Sequence, residues 1–244
     1  ASLKVAEGLT LKTSWGADVA YGKNDTYFPS TIFSASQVGG DASVISTQQY
    51  IWLNENTINY NKYFDKHSLD VLVGFTQQSS RSEFVGASAT GFLNDVTGTY
   101  NLGLGNAEAA ELPSSGTGNW VIHSFIGRIN YGFNDRYLLT LTGRADGSSR
   151  FGANNRYGYF PSAAIAWKAI EEDFIKDLGV FSNLKLRASY GVTGNQEGIG
   201  NFPSLDLWRG NNYVIGDQIV SGITPSQVGN KDLKWETTNQ LDLG

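Results

Sequence analysis

The chain has 244 residues, of which 40% are hydrophobic and only 17% are charged, with a formal net charge of −5. This acidic balance, without any block of Lys and Arg, disfavours a nucleic-acid partner. These residues include no cysteine, so they form no disulfide and supply no thiolate metal ligand. No stretch approaches the ~18 apolar residues of a membrane-spanning helix, but strands of a membrane barrel would escape that criterion.

Apolar and polar residues alternate in eight stretches, which predicts eight β-strands. In the clearest of them, Tyr137–Ala145, Leu139 and Leu141 share one face while Thr140 and Thr142 share the other. Strands of roughly ten residues are long for a soluble sheet and match the length that a tilted strand needs to cross a bilayer. The predicted strands cover residues 9–21, 50–60, 68–76, 121–131, 137–145, 159–167, 184–193 and 233–243.

Short and long connections alternate between these strands, as in outer-membrane barrels with tight periplasmic turns and extended outer loops. The short connections are residues 61–66, 132–135 and 169–183, and the long ones are residues 22–44, 77–119, 146–158 and 194–232. Aromatic residues cluster near the strand ends, where a membrane-interface girdle would lie. These residues are Tyr21, Tyr60, Tyr131, Phe133, Tyr137, Tyr159 and Trp167. The alternative is a β-sandwich in which the same aromatics belong to an ordinary core.

Motifs of catalysis and metal binding are missing from the sequence. The two histidines, His67 and His123, have no acidic or histidine neighbour at ligand spacing, so we expect no metal site. The acidic triplet Glu171–Asp173 is expected to be a solvated turn. We therefore expect no enzyme and no cofactor; an outer-membrane enzyme would require clustered catalytic residues at the loop tips.

Several charged residues lie on the polar side of the predicted strands or beside their ends. Charge on the lipid face of a barrel costs a few kcal/mol near the membrane midplane, so we expect these side chains to face the lumen. They would then either line a wet path or brace one another or a plug. The predicted lumen-facing residues are Arg128, Arg144, Lys168, Lys185 and Arg187.

The last long connection combines aromatic side chains with amides and charges. Such a mixture suits stacking on sugar rings with hydrogen bonds to hydroxyls, although packing within the loop or contact with a partner explains it equally well. The candidate substrate-binding residues are Asp206, Trp208, Arg209, Asn211 and Tyr213.

Three long motifs follow one another in the second half of the chain: "GRADGSSRFGANNRYGYFPSAAIAW", "LKLRASYGVTGNQEGIGNF" and "GNKDLKWETTNQLDLG". In this order they resemble the barrel of SusC-like (RagA-type) TonB-dependent outer-membrane transporters of Bacteroidetes. The resemblance extends upstream through "ENTINYNKYFDKHSLDVLVGF" and covers nearly the whole chain.

The resemblance implies an all-β, antiparallel transmembrane β-barrel segment, with about eight strands of a larger barrel of about 22 strands. Residues 1–244 would then form part of one barrel domain, with the plug and the closing strands outside this chain. The implied activity is TonB-dependent import of oligosaccharides or peptides, together with a SusD-like surface lipoprotein and with the TonB complex acting through the plug. The alternatives are a soluble or surface-exposed β-sandwich carbohydrate-binding or adhesin protein and a plain diffusion porin.

The polar stretch from Arg144 to Gly158 is then expected to be a compact extracellular hairpin loop. We expect Asp146, Arg150 and Arg156 to brace it, with ligand contact as the second interpretation.

Overall fold

The computed structural model describes residues 1–109 and 111–244, which are mostly extended in eleven strands. The strands are β1 (Ser2–Ala6), β2 (Leu9–Phe28), β3 (Asp41–Phe64), β4 (His67–Thr90), β5 (Ser114–Phe133), β6 (Tyr137–Ser148), β7 (Tyr157–Trp167), β8 (Leu186–Asn195), β9 (Leu207–Ile215), β10 (Gln218–Gln227) and β11 (Glu236–Leu243). The helical elements are single turns: α1 (Phe33–Ser36), α2 (Asp173–Lys176) and 3-10 turns at Gly98–Tyr100, Leu102–Leu104, Ala107–Ala109 and Ala169–Glu171. None of the helices in the described part of the chain is long and apolar enough to cross a membrane.

The strands form one nine-stranded sheet and one separate hairpin. In the sheet, β1 to β8 are ordered as in the chain, and β11 follows β8. Strands β9 and β10 pair with each other in a two-stranded sheet. The predicted all-β, antiparallel architecture is confirmed, because neighbouring strands such as β5–β6, β6–β7, β7–β8 and β8–β11 are antiparallel.

The nine strands of the main sheet agree with the prediction of about eight, but the predicted strand length was wrong. Strands β2 to β5 have 20 to 24 residues instead of about ten. Apolar alternation marks only the part of a strand that has one apolar face, whereas backbone pairing continues through polar residues. Strands β9 and β10 were missed because Gly210, Asn211 and Asn212 interrupt the alternation.

The register of β5, β6 and β7 produces two chemically distinct faces. Arg128 lies opposite Thr142, which lies opposite Ser162; one residue further along, Ile129 lies opposite Leu141. The side of Arg128, Thr142 and Ser162 is called the polar face, and it also carries Asn130, Thr140 and Arg144. The side of Ile129 and Leu141 is called the apolar face, and it also carries Phe125, Tyr131, Leu139, Ala163 and Ile165. Most of the large side chains of the apolar face are exposed, including Phe125 and Ile165, which is 59% exposed. An exposed apolar sheet face of this kind requires a cover, which lipid supplies to a membrane barrel.

The short connections are tight. Only Asp65 and Lys66 separate β3 from β4, and only residues 134–136 separate β5 from β6. Asp65, Asn134 and Asp135 have φ angles of 53° to 54°, in the left-handed region that Asp and Asn tolerate better than most residues. These two expected short turns are therefore present and are even shorter than predicted.

The chain divides into two compact units. Unit 1 comprises Ala1–Gly16, Leu53–Gln78 and Trp120–Gly244, and unit 2 comprises Ala17–Trp52 and Ser79–Asn119. Unit 2 has a small core in which Ala42, Ala89 and Phe92 are buried, with Tyr27 and Leu102 packed against them.

Candidate functional site

A network of amides on the polar face of unit 1 converges on Asp70 of β4. Asn59 Nδ2 and Asn130 Nδ2 donate to the two carboxylate oxygens of Asp70, at 3.3 and 3.2 Å. Thr140 Oγ1 donates to Asn130 Oδ1 at 2.9 Å, and Asn61 Nδ2 donates to Asn59 Oδ1 at 2.8 Å. Side chains of four strands thus form one hydrogen-bond network, in which the donors on both sides lead to the Asp70 carboxylate. The polar face here is a fixed surface of amides and hydroxyls rather than a set of free side chains.

Arg144, a predicted lumen-facing residue, is tied into the same face. Its Nε donates to both carboxylate oxygens of Asp146 at 2.7 Å, and its Nη2 donates to Ser124 Oγ at 3.1 Å. Asp146 is only 8% exposed, so the pair neutralises a buried charge within the wall. The carboxylate that we expected to brace the following loop therefore binds an arginine of its own strand.

The other predicted lumen-facing residues differ in position. Arg128 lies on the polar face of β5, and Arg187 lies opposite Ala166, on the side shared with Leu138 and Thr140. Lys168 and Lys185 lie outside the strands, directly after β7 and just before β8. Among the described residues, none of these four cations forms an ion pair.

The loop between β6 and β7 is held mainly by aromatic packing. Phe151 is 2% exposed, and its ring centroid lies 4.8 Å from that of Trp235, just before β11. The ring centroid of Phe160 lies 5.4 Å from that of Trp235, in an edge-to-face arrangement. Trp235 Nε1 donates to the backbone oxygen of Arg156 at 2.9 Å. The contact that Arg156 makes here is through its backbone carbonyl and not through its guanidinium.

Arg150 connects this loop to two other segments of unit 1. Its guanidinium lies 5.4 Å from the ring centroid of Trp120, within the range of a cation–π contact. Its Nη1 donates to the backbone oxygen of Gln196 at 3.3 Å. The Nε of Arg150 and the Oε1 of Gln196 are buried, and neither has a partner among the described residues. The prediction that Arg150 braces the loop agrees with these contacts. Its two partners, Trp120 and Gln196, are distant in sequence and could not be predicted from a local pattern.

The five candidate substrate-binding residues do not converge on one point. Trp208 lies on one face of the β9–β10 hairpin, while Arg209, Asn211 and Tyr213 lie on the other, because side chains alternate along a strand. Asp206 lies at the base, where its Oδ1 accepts a hydrogen bond from the backbone N of Gly229 at 2.8 Å. Any one ligand on a hairpin face would meet only part of the predicted set.

In unit 2, one aspartate anchors the loop that follows β4. Asp95 accepts hydrogen bonds from Tyr27 Oη at 2.6 Å and from the N and Oγ of Ser30, both at 3.1 Å. The Tyr27 hydroxyl, followed by the Ser30 backbone N–H, lowers the pKa of Asp95 below its ordinary value. A lone aspartate in a long polar connection gives no recognisable sequence signal, so this anchor was missed.

The acidic triplet that we expected to be a solvated turn includes one structural residue. Glu172 accepts hydrogen bonds from Tyr137 Oη and Arg136 Nη1 at 2.8 Å and from Trp167 Nε1 at 3.2 Å, and its side chain is only 14% exposed. The Tyr137 hydroxyl, followed by the Trp167 N–H, lowers the pKa of Glu172. The turn after β7 is thereby fixed to the turn before β6, a contact between distant residues that a local pattern does not reveal.

No group of three or more His, Asp or Glu side chains within residues 1–109 and 111–244 could hold a metal ion. In unit 1, strands β5 to β7 provide a wall with an apolar and a polar face, with the tight turn between β5 and β6 at one end and the loop between β6 and β7 at the other. This is the anatomy of an outer-membrane β-barrel.

Comparison with known proteins identifies the family. The family described as "TonB dependent receptor-like, beta-barrel" matches residues 3–244, so the chain belongs to it. TonB-dependent receptor P3 of Formosa agariphila is 38% identical over the whole chain, and TonB-dependent receptor SusC of Bacteroides thetaiotaomicron is 35% identical over 97% of it. The "Structure of the RagAB peptide transporter" superposes over 99% of the chain with a TM-score of 0.88 and 31% identity.

These matches cover 24% of the P3 receptor, 23% of SusC and 26% of the solved chain, so this chain spans about a quarter of the length of its relatives. The resemblance to SusC-like and RagA-type transporters is confirmed, as is the segment of an outer-membrane β-barrel. The β-sandwich alternative is wrong, because the family match spans nearly every residue. Members of this family are receptors and transporters rather than enzymes.

Proposed function

We propose that this chain forms part of the barrel wall of a TonB-dependent outer-membrane importer of oligosaccharides or peptides. The observation that carries the proposal is the match to the receptor barrel family over residues 3–244, together with a fold that superposes on a peptide transporter. The hydrogen-bonded amides around Asp70 give the polar face groups that suit hydroxyl-rich or peptide-like solutes. Arg128, which forms no ion pair among the described residues, adds a charged donor to this face.

The assignment of residues to domains is part of the same proposal. Residues 1–244 belong to one barrel domain, which further strands outside this chain complete, and a plug outside this chain occupies the lumen. A barrel of about 22 strands is wide enough to enclose a plug, whereas eight or nine strands closing on themselves would be filled by their own side chains.

The proposed partners are the TonB complex, which acts through the plug, and a SusD-like surface lipoprotein at the loop end of the barrel. Support for the lipoprotein comes from relatives, which include SusC and the RagAB peptide transporter. The loop between β6 and β7, which the buried Phe151–Trp235 contact holds in place, offers that partner a defined surface.

The test is uptake by cells that carry the native gene, a deletion of that gene, or an intact gene with TonB inactivated. Labelled oligosaccharides and a labelled peptide mixture are supplied separately. We expect uptake of at least one of the two classes to fall in both mutants and to return when the gene is restored. Uptake that is equal in all three strains for both classes would contradict the proposal.

A further inference from the structure

The β9–β10 hairpin stands apart from the main sheet and has two outer edges. Within the described residues, each of its strands pairs only with the other. The connecting residues Gly216 and Asp217 have φ angles of 57° and 60°, which identify a two-residue turn with the twist of a tight hairpin. Ile215 and Gln218 are therefore the first hydrogen-bonded pair.

Antiparallel pairs alternate between hydrogen-bonded and non-hydrogen-bonded, so the register determines which backbone groups point outwards. Tyr213–Val220, Asn211–Gly222 and Arg209–Thr224 are pairs of the bonded type. The intervening residues direct their N–H and C=O groups away from the partner strand. These residues are Trp208, Gly210, Asn212 and Val214 on β9, and Ile219, Ser221, Ile223 and Pro225 on β10.

The outer edge of β10 is partly closed. Pro225 has no N–H to offer to another strand. The backbone oxygen of Ile223 already accepts a hydrogen bond from Tyr213 Oη at 2.8 Å. Proline and occupied backbone groups are common means of protecting a sheet edge from pairing.

The outer edge of β9 is less protected than that of β10, although the outward N–H of Asn212 is occupied by the Asn211 side chain of the same strand. No proline or charged residue lies at its outward positions, and Gly210 adds no side chain that would keep another backbone away. The backbone N of Asn212 donates to Asn211 Oδ1 at 3.0 Å, and an incoming strand would replace that contact. Trp208 and Val214, 59% and 73% exposed, flank this edge on one face of the hairpin and offer apolar contact to neighbouring side chains.

We propose that the β9 edge captures an extended peptide, which adds to the hairpin as a third antiparallel or parallel strand. Regularly spaced N–H and C=O groups match the backbone of a peptide, whereas a sugar chain has no such repeat. Recognition through the backbone accepts many sequences, and the apolar side chains add only a mild preference. This inference rests on the proposed import function and narrows its substrate class to peptides.

The test uses the purified full-length protein and a fluorescein-labelled, uncharged heptapeptide, with affinity measured by fluorescence anisotropy. Val214→Pro removes one outward N–H of the β9 edge. Ile219→Pro is the matched control, because Ile219 lies directly opposite Val214 and faces the other edge. Proline at an outward position of an edge strand leaves the internal ladder intact.

We expect V214P to weaken peptide binding by about tenfold, which is the scale of losing one or two hydrogen bonds, while I219P binds as the native protein does. The same heptapeptide with every amide N-methylated should bind at least as weakly to the native protein. Equal affinity of V214P and native protein, or equal loss in V214P and I219P, would overturn the inference. Undiminished binding of the N-methylated peptide would also overturn it.

The uptake experiment distinguishes a failure of the strand-addition inference from a failure of the proposed import function. If TonB-dependent peptide uptake persists but V214P binds peptide normally, strand addition is wrong and the import function stands. If only oligosaccharides enter, the peptide assignment is wrong and import still stands. If neither class enters in a TonB-dependent way, the proposed function itself is wrong.

Discussion

Phe151 and Trp235 pack against each other with ring centroids 4.8 Å apart and an interplanar angle of 37°. Phe151 lies in the loop after β6, and Trp235 lies in the segment that leads into β11. The contact therefore joins two connections at the loop end of the sheet that are distant in sequence.

Phe151→Ala should loosen the loop between β6 and β7. Removing a buried phenylalanine costs about 3 kcal/mol, and the cost falls on this local contact because the barrel strands do not depend on it. We expect faster protease cleavage within residues 149–156 of the purified protein. Tyr100→Ala, at a side chain that is 94% exposed, is the control and should leave this rate unchanged. Equal cleavage rates in F151A and the native protein would show that Phe151 does not hold the loop.

Glu172→Gln should weaken the turn after β7. The amide keeps one oxygen for the Tyr137 and Trp167 donors, but its NH2 group opposes Arg136 Nη1. An intact barrel that is not boiled migrates differently on a denaturing gel from the heat-unfolded protein. We expect the E172Q variant to convert to the unfolded band at a lower incubation temperature than the native protein does. Glu171→Gln is the matched control, since the one side-chain partner of Glu171 among the described residues is Lys176 and its side chain is 46% exposed. A larger effect of E171Q than of E172Q would contradict this account of the turn.

The anchor of the loop after β4 should depend on pH in one direction. The pKa of Asp95 is lower in the folded protein than in the unfolded chain, so its stabilising effect is complete above the ordinary carboxyl range of about pH 4 and is lost as the pH falls through the folded pKa. We expect amide exchange in residues 92–100, corrected for its intrinsic pH dependence, to be constant from pH 8 to 5 and to rise below about pH 4. Asp95→Asn should exchange faster at neutral pH and lose the acid transition. If the rise in exchange at acid pH persists in the D95N variant, a group other than Asp95 causes it.

The two arginines of the polar face should respond differently to the same substitution. Arg144→Met leaves the buried Asp146 carboxylate without its partner, at a cost of about 1–2 kcal/mol after allowance for the partial exposure of Arg144. Arg128→Met breaks no ion pair among the described residues and should leave the heat-modification temperature unchanged. R128M should instead alter the rate of solute uptake. Equal destabilisation by both substitutions would mean that the Arg144–Asp146 pair has no special role.

The sequence pattern was sufficient for the fold class, since alternation at Leu139 and Leu141 and the tight turn at Asp65 are local signals that the structure confirms. It was insufficient for strand length, because hydrogen bonding between backbones continues where side chains are polar on both faces. The β9–β10 hairpin was not predicted because Gly210 and Asn211 have low strand propensity. Backbone pairing between the two strands on either side of Gly216 outweighs this low propensity.

The candidate site was harder to predict than the fold. Trp208 and Tyr213 have the right chemistry for a binding site, but their odd spacing along one strand places them on opposite faces. The partners of Asp146, Asp95 and Glu172 come from other strands or other turns, which only the register brings together.

The central claim is that these strands form the wall of an outer-membrane barrel whose long connections lie on the cell surface. Asp217→Cys places a thiol in the tip of the β9–β10 hairpin, and Asp65→Cys places one in the tight turn between β3 and β4. The measurement is labelling of intact cells with a membrane-impermeant maleimide, in full-length protein without other cysteines; this chain contributes none. We predict that the D217C variant is labelled on intact cells and that the D65C variant is labelled only after the cells are broken. Labelling of the D65C variant on intact cells, or protection of the D217C variant, would contradict the claim.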